Sequence, residues 1–138
     1  MAAFRRFNVR VYGLWLQDRH VLVSEEQIKG EAYFKFPGGG LEFGEGTVTC
    51  LKREWMEELA LEIEVLEHFY TTDFFQPSAF DDSQVISIYY IVKPAMPAGY
   101  AFPDTGTERF LFMPADELLV SRISLPIDKK VAEMLTAR

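Results

Sequence analysis

Residues 36–61 read FPGGGLEFGEGTVTCLKREWMEELAL, and the two halves of this stretch obey different rules. In the second half Val48, Leu51, Trp55 and Leu59 recur at three- and four-residue spacing, the pattern of one apolar stripe on a helix. This spacing predicts a helix over 47–60. Glu54, Glu57 and Glu58 share that segment. At 100° per residue they span an arc of about 100° beside the stripe. A helix so built buries one face and presents three carboxylates along the edge of the core.

That crowding needs a reason. Helices stabilised by surface charge place Lys or Arg four residues from each Glu. Here Glu54 has Glu58 at that spacing and Glu58 has Glu62, while Arg53 and Glu57 form the opposite-charge pair in the less favourable order. A fully solvated face tolerates like charges at ~0.2–0.5 kcal/mol per pair. Half-buried carboxylates about 4 Å apart repel by roughly 4 kcal/mol. Two readings follow, a solvated acidic face or a holder of divalent cations, and carboxylate oxygen suits hard ions such as Mg²⁺ and Mn²⁺. The glycines before the helix likewise have two readings. They make either a tight strand-to-helix turn or a loop whose backbone approaches a ligand closely. The loop lacks the Gly-Lys-Ser/Thr ending of a Walker-type phosphate loop. Its glycines also miss the spacing of a dinucleotide fingerprint.

Outward from this stretch the chain alternates strand-like and turn-like segments. FNVRVYGLWL (7–16) and VLVSEEQI (21–28) flank a polar QDRH and predict a hairpin. EAYFKF (31–36) predicts a third strand, stopped by Pro37 and the glycines that follow. After the helix, LEIEVLEHFYTTDFF, QVISIYYIVK and TERFLFM predict further strands, PADEL a helical turn and PIDKKVAEMLTAR a terminal helix. Strands on both sides of a central helix, with another helix at the end, indicate an α+β domain occupying residues 1–138.

Composition narrows the function. With 49% hydrophobic and 14% aromatic residues the chain supports a packed core. It has no apolar run near the ~20 residues of a membrane span. MAAFRRFNVR carries no secretory signal, so the expectation is a soluble, cytoplasmic protein. Cys50 is the sole cysteine, which excludes an intramolecular disulfide and a cysteine-built zinc site. A small buried hydrophobe is its expected role. The net charge of −7 argues against a nucleic-acid polymer as partner. A small phosphate ligand stays compatible if something else supplies positive charge. His20 is expected to be solvated in a turn and His68 partly buried in a strand, and neither has a nucleophile beside it in sequence.

Taken together, loop and helix resemble the signature of the Nudix hydrolases. Gly39 is followed after five residues by Glu45, and after seven more by Arg53-Glu54, then Glu57-Glu58 and Leu61. Two positions depart from it: Trp55 replaces an aliphatic residue, and Ala60 stands where the family usually has Gly. If the helix ends at Ala60 with positive φ, the alanine is strained by about 1 kcal/mol or more. The resemblance implies an α/β/α sandwich with a mixed sheet. It also implies Mg²⁺- or Mn²⁺-dependent hydrolysis of the pyrophosphate linkage in a nucleoside diphosphate joined to a group X. Glu54, Glu57, Glu58 and the Gly38 carbonyl would then hold metal. Arg53 would orient a glutamate, Glu45 would hold the loop, and Glu54, or second Glu108, would act as general base. Arg10 and Lys35 on strand-like stretches are candidates for phosphate contact, and Glu108 also counts among residues facing the substrate. Phe74, Phe75 and Phe80 could stack on a base, with core packing the plainer expectation. A homodimer is a family-level expectation. The other functional class is a non-catalytic domain of this fold that senses a nucleotide or binds a partner.

Overall fold

The computed structural model describes residues 5–138; the first four residues of the start examined for a secretory signal lie outside them. In chain order the elements are β1 (Phe7–Leu14), β2 (Leu16–Gln17), β3 (His20–Ile28), β4 (Glu31–Lys35), β5 (Gly38–Gly40), α1 (Thr47–Leu59), β6 (Glu62–Thr71), β7 (Gln84–Ala95), β8 (Glu108–Pro114), α2 (Glu117–Arg122) and α3 (Pro126–Ala137). One sheet has the order β5-β1-β7-β6 and is mixed. β1 runs parallel to β7, while its pairing with β5 and that of β6 with β7 are antiparallel. In the second sheet β3 pairs antiparallel with β2, β4 and β8.

Strand alternation assigns the two faces. On β1, Val11 points to the α1 side while Tyr12 and Leu14 point to the side of α2 and α3; on β3, Leu22 takes the first side and Val21 and Val23 the second. The core is therefore two clusters separated by sheet. One gathers Leu51, Trp55 and Leu59 of α1, the other Leu119, Ile123, Val131 and Leu135 of α2 and α3. This is the expected α+β sandwich with a mixed sheet.

Several expectations need correction. The three glycines do not simply stop the third strand: Gly38–Gly40 form β5, with Gly39 opposite Val11 and Gly40 opposite Arg10. Val48 lies outside the apolar stripe, 38% exposed, and the buried helix residues are Cys50, Leu51, Trp55 and Leu59. His68 is exposed on β6, edge-on to Tyr90, because an irregularity in β6 between His68 and Tyr70 breaks the alternation and Tyr70 takes the inward position. Phe74, Phe75 and Phe80 are exposed on the β6–β7 connection and do not join the core.

Candidate active site

Two local devices set the carboxylates of α1 in place. A Cβ on Gly39 would stand 2.4 Å from the carboxylate carbon of Glu54. A side chain at position 39 would therefore push the Glu54 carboxylate out of its place against β5. At the other side Arg53 is the hub. Its guanidinium donates to Glu45 from two nitrogens, Nη2 at 2.6 Å and Nε at 3.0 Å, and from Nη1 to Glu54 and Glu57 at 3.0 Å each. Nη2 also donates to the Gly40 carbonyl. Glu45 in turn accepts the backbone N–H of Glu42, closing the loop upon the helix. Hydrogen bonds from Arg53 hold the Glu45 carboxyl down at about 2. The sequence shows one opposite-charge partner for Arg53; the fold supplies three more, Glu54, Glu45 and Glu42.

The three box glutamates do not share one environment. The Glu54 side chain is 15% exposed and Glu57 56%, both turned toward Arg53. Glu58 is partly buried and looks the other way. Burial, then the charges of Glu108 and Glu54, raise its carboxyl to about 8; Lys35 opposes them and Glu26 adds to them. Glu108 is itself raised, by burial and then by Glu26. Glu26 and Glu108 are direct cross-strand partners on β3 and β8, and Lys35 of β4 donates to Glu26 at 2.5 Å. The structure thus brings Glu54 and Glu108 within electrostatic reach of Glu58 and adds Glu26, which sequence reasoning missed. Its signal was the β3–β8 register, which no local pattern encodes. As the side chains stand, no three His, Cys, Asp or Glu among the described residues are gathered tightly enough to hold a metal.

The remaining candidates are close by. Arg10 on β1 donates from Nε to the Tyr12 hydroxyl at 2.6 Å and lies within electrostatic reach of Glu54. Arg10 and Lys35 both line a cavity of about 160 Å³ beside the acidic cluster. Gly38 continues directly from Pro37, whose carbonyl accepts the Gly13 N–H and the Trp55 indole N–H. Cys50 is buried below Arg53, and burial pushes its thiol up to about 12, which keeps it protonated and unreactive.

The arrangement is an acidic cluster with two carboxyls, Glu58 and Glu108, that resist ionisation, next to a cavity carrying two cationic side chains. Cations bridging carboxylates and phosphate oxygens are the chemistry that such a donor set fits.

Comparison with known proteins agrees with this architecture. The family model described as the NUDIX domain matches residues 4–135. No curated protein matches the chain. Among solved structures, the chain is similar to the E. coli ORF135 protein, at 18% identity and TM-score 0.75, over 96% of this chain and 90% of that one. A NUDIX hydrolase from Nitrosomonas europaea aligns at 21% identity and TM-score 0.77, again over 96% and 90%. The MutT NUDIX hydrolase from Burkholderia pseudomallei aligns at 13% identity and TM-score 0.69, over 94% and 98%. With the family model spanning nearly the whole sequence and the box folded into the loop and helix it describes, the chain belongs to the Nudix family as a Nudix hydrolase.

Proposed function

We propose that the chain hydrolyses the pyrophosphate linkage of a nucleoside diphosphate joined to a group X, such as a free nucleotide, ADP-ribose or a nucleotide sugar. Mg²⁺ or Mn²⁺ would be held by Glu54, Glu57, Glu58 and the Gly38 carbonyl. The observation that carries this reading is the Glu58 carboxyl, raised to about 8 by burial and by neighbouring carboxylates. A divalent cation held there would relieve both the desolvation and the repulsion and favour the ionised carboxylate. When bound, the metal would polarise the phosphate oxygens, activate water and stabilise the leaving oxygen.

The chain's own residues have separable duties. Glu54, backed by Gly39 and held by Arg53, is the first choice to take the proton of the attacking water. Glu108, from the opposite wall, is the second. Arg53 orients Glu54 and Glu57, and Glu45 fixes Arg53 to the loop. Arg10 and Lys35 face the cavity where phosphates would approach and supply positive charge there. A homodimer belongs to the same reading and rests on the family resemblance alone; the cytoplasmic setting expected from the sequence is kept with it.

Glu58→Gln tests the assignment, because glutamine keeps the shape and hydrogen-bonding capacity and removes the charge. Formation of nucleoside monophosphate from a panel of nucleotides and nucleotide sugars with Mg²⁺ should fall by about 100-fold or more in the folded variant. Undiminished turnover by folded Glu58→Gln would sink the proposal. Tight nucleotide binding by the wild-type chain without turnover in either metal would point to the sensing function instead.

A further inference from the structure

Arg53, Arg6, Arg109 and Arg138 spend their guanidinium groups on carboxylates. Arg10 does not. It is partly buried on β1, its Nε donates to the Tyr12 hydroxyl, and it forms no ion pair among the described residues. Nη1 and Nη2 have no other partner there, and Arg10 lines the cavity of about 160 Å³ beside the acidic cluster. The four N–H groups of a planar fork are thus left for a ligand. Asp128, on the same wall, does not take them: its Oδ1 accepts from the Tyr89 hydroxyl and its Oδ2 has no partner.

Strand alternation places Arg10 and Tyr12 on one face of β1, two residues apart. Tyr12 is itself held fast. It is 5% exposed, stands opposite Tyr89 in the parallel register and stacks on it with ring centroids 5.3 Å apart. Tyr89 is fully buried and tied by its hydroxyl to Asp128 in the first turn of α3. Stacking accounts for an aromatic ring at position 12, and phenylalanine would serve it equally. The hydroxyl needs a further reason, and its hydrogen-bond partner is Arg10. Burial lifts that hydroxyl to about 12, against the charge of Arg10, so it is neutral near pH 7. A neutral acceptor orients the guanidinium without cancelling its charge, as a carboxylate would. On its other side the fork reaches β5, where a Cβ on Gly40 would stand 3.6 Å from Nη1. Arg10 also lies within electrostatic reach of Glu54. The terminal nitrogens therefore stand between the cavity and the acidic cluster.

We propose that Tyr12 is a positioning residue, whose hydroxyl aims the terminal nitrogens of Arg10 at a phosphate of the substrate. The inference rests on the hydrolase reading only in taking the ligand to carry a pyrophosphate. A guanidinium held in advance loses little rotamer freedom on binding, and its two terminal nitrogens match two phosphate oxygens. Lysine at the same place would keep the charge and lose the fork.

The test is binding without turnover, by calorimetry in Mg²⁺ with methylenediphosphonate, a pyrophosphate analogue whose P–C–P link resists hydrolysis. Wild type, Tyr12→Phe, Arg10→Ala and the double variant form a cycle. Tyr12→Phe keeps the stacked ring and should weaken binding about 10-fold, and Arg10→Ala by at least as much. The double variant should bind no more weakly than Arg10→Ala, since without the guanidinium the hydroxyl has nothing to aim. A purely structural role would lose the same factor in both backgrounds, and that additivity overturns the proposal. Undiminished affinity in folded Tyr12→Phe or Arg10→Ala overturns it too, as does no binding by the wild-type chain at millimolar concentration. Arg10→Lys should also lose about 10-fold, and full affinity there overturns the proposal even if Tyr12→Phe does not fold. Nucleoside monophosphate formation alongside an additive cycle would refute this inference alone. A coupled cycle with no turnover of any nucleotide would refute the hydrolase reading alone.

Discussion

A Cβ on Gly13 would lie 2.7 Å from the indole nitrogen of Trp55 and 2.9 Å from two of its ring carbons. The tryptophan is fully buried and donates from its indole N–H to the Pro37 carbonyl at 3.3 Å. So β1 makes the room that the larger residue on α1 requires. Gly13→Ala should lower stability by about 1–3 kcal/mol through overpacking, measured as a shift in urea midpoint. In a Trp55→Leu background the same change should cost less, because the two residues touch and their effects are coupled. Additive losses in the double variant would refute the pairing. Trp55 stood out in the sequence as a departure from the box. Its partner did not, because nothing about Gly13 marks which distant side chain fills the space above it. Glu26 was invisible for the same reason. The charges of α1 were legible from helical spacing, while the acids facing them come from a pairing between distant strands.

The end of α1 is an element-scale matter. Ala60 has φ 55 and ψ 38, the left-handed region. Its N–H donates to the Met56 carbonyl, the 5→1 bond of an αL cap, and the Leu61 N–H reaches the Trp55 carbonyl at 3.5 Å. The Tyr100 hydroxyl donates to the Leu59 carbonyl at 2.6 Å and satisfies one more of the groups a helix end leaves open. An L-residue with a Cβ costs about 1 kcal/mol in that conformation. Ala60→Gly should therefore raise stability by about 0.5–1 kcal/mol, less the flexibility glycine adds to the unfolded chain. Thermal denaturation reads this, and a lower melting temperature would contradict it. The helix was legible within a residue at its end, since apolar spacing, glutamates and the strained alanine all agree. The β5 strand was not, because Gly38–Gly40 carry no side chains and so no alternation to read. Its existence follows from backbone pairing with β1 alone.

Over the whole molecule the net charge is −7, and Glu26, Glu54 and Glu108 act together on Glu58 at one place. Without metal this has a sign in solution. The Glu58 carboxyl titrates near 8 in the folded chain, raised by burial and then by Glu108, against an ordinary 4.5. Between those values the folded state binds more protons than the unfolded one, so stability falls as pH rises through that window. Asp128, raised to about 6 chiefly by burial, adds to the same trend. Glu45 acts oppositely but lower down: held at about 2 by Arg53, it loses its contribution only as pH falls below the ordinary range. In EDTA the melting temperature should drop from pH 5 to pH 8 in the wild-type chain, and Glu58→Gln should flatten the drop. Equal slopes for the two proteins would remove Glu58 as its cause.

The parallel pairing of β1 with β7 also governs how the molecule forms. Arg10 lies opposite Ser87 and Tyr12 opposite Tyr89, partners separated by most of the chain and joined with no local hairpin between them. Loop-closure entropy is spent before such contacts return anything, and folding slows as they come to dominate. A chain emerging from its ribosome can wind α1 and close the β2–β3 turn early. The wall that carries Tyr12 and Tyr89 must await β7, so this half of the sheet closes only after the chain between the two strands has been made.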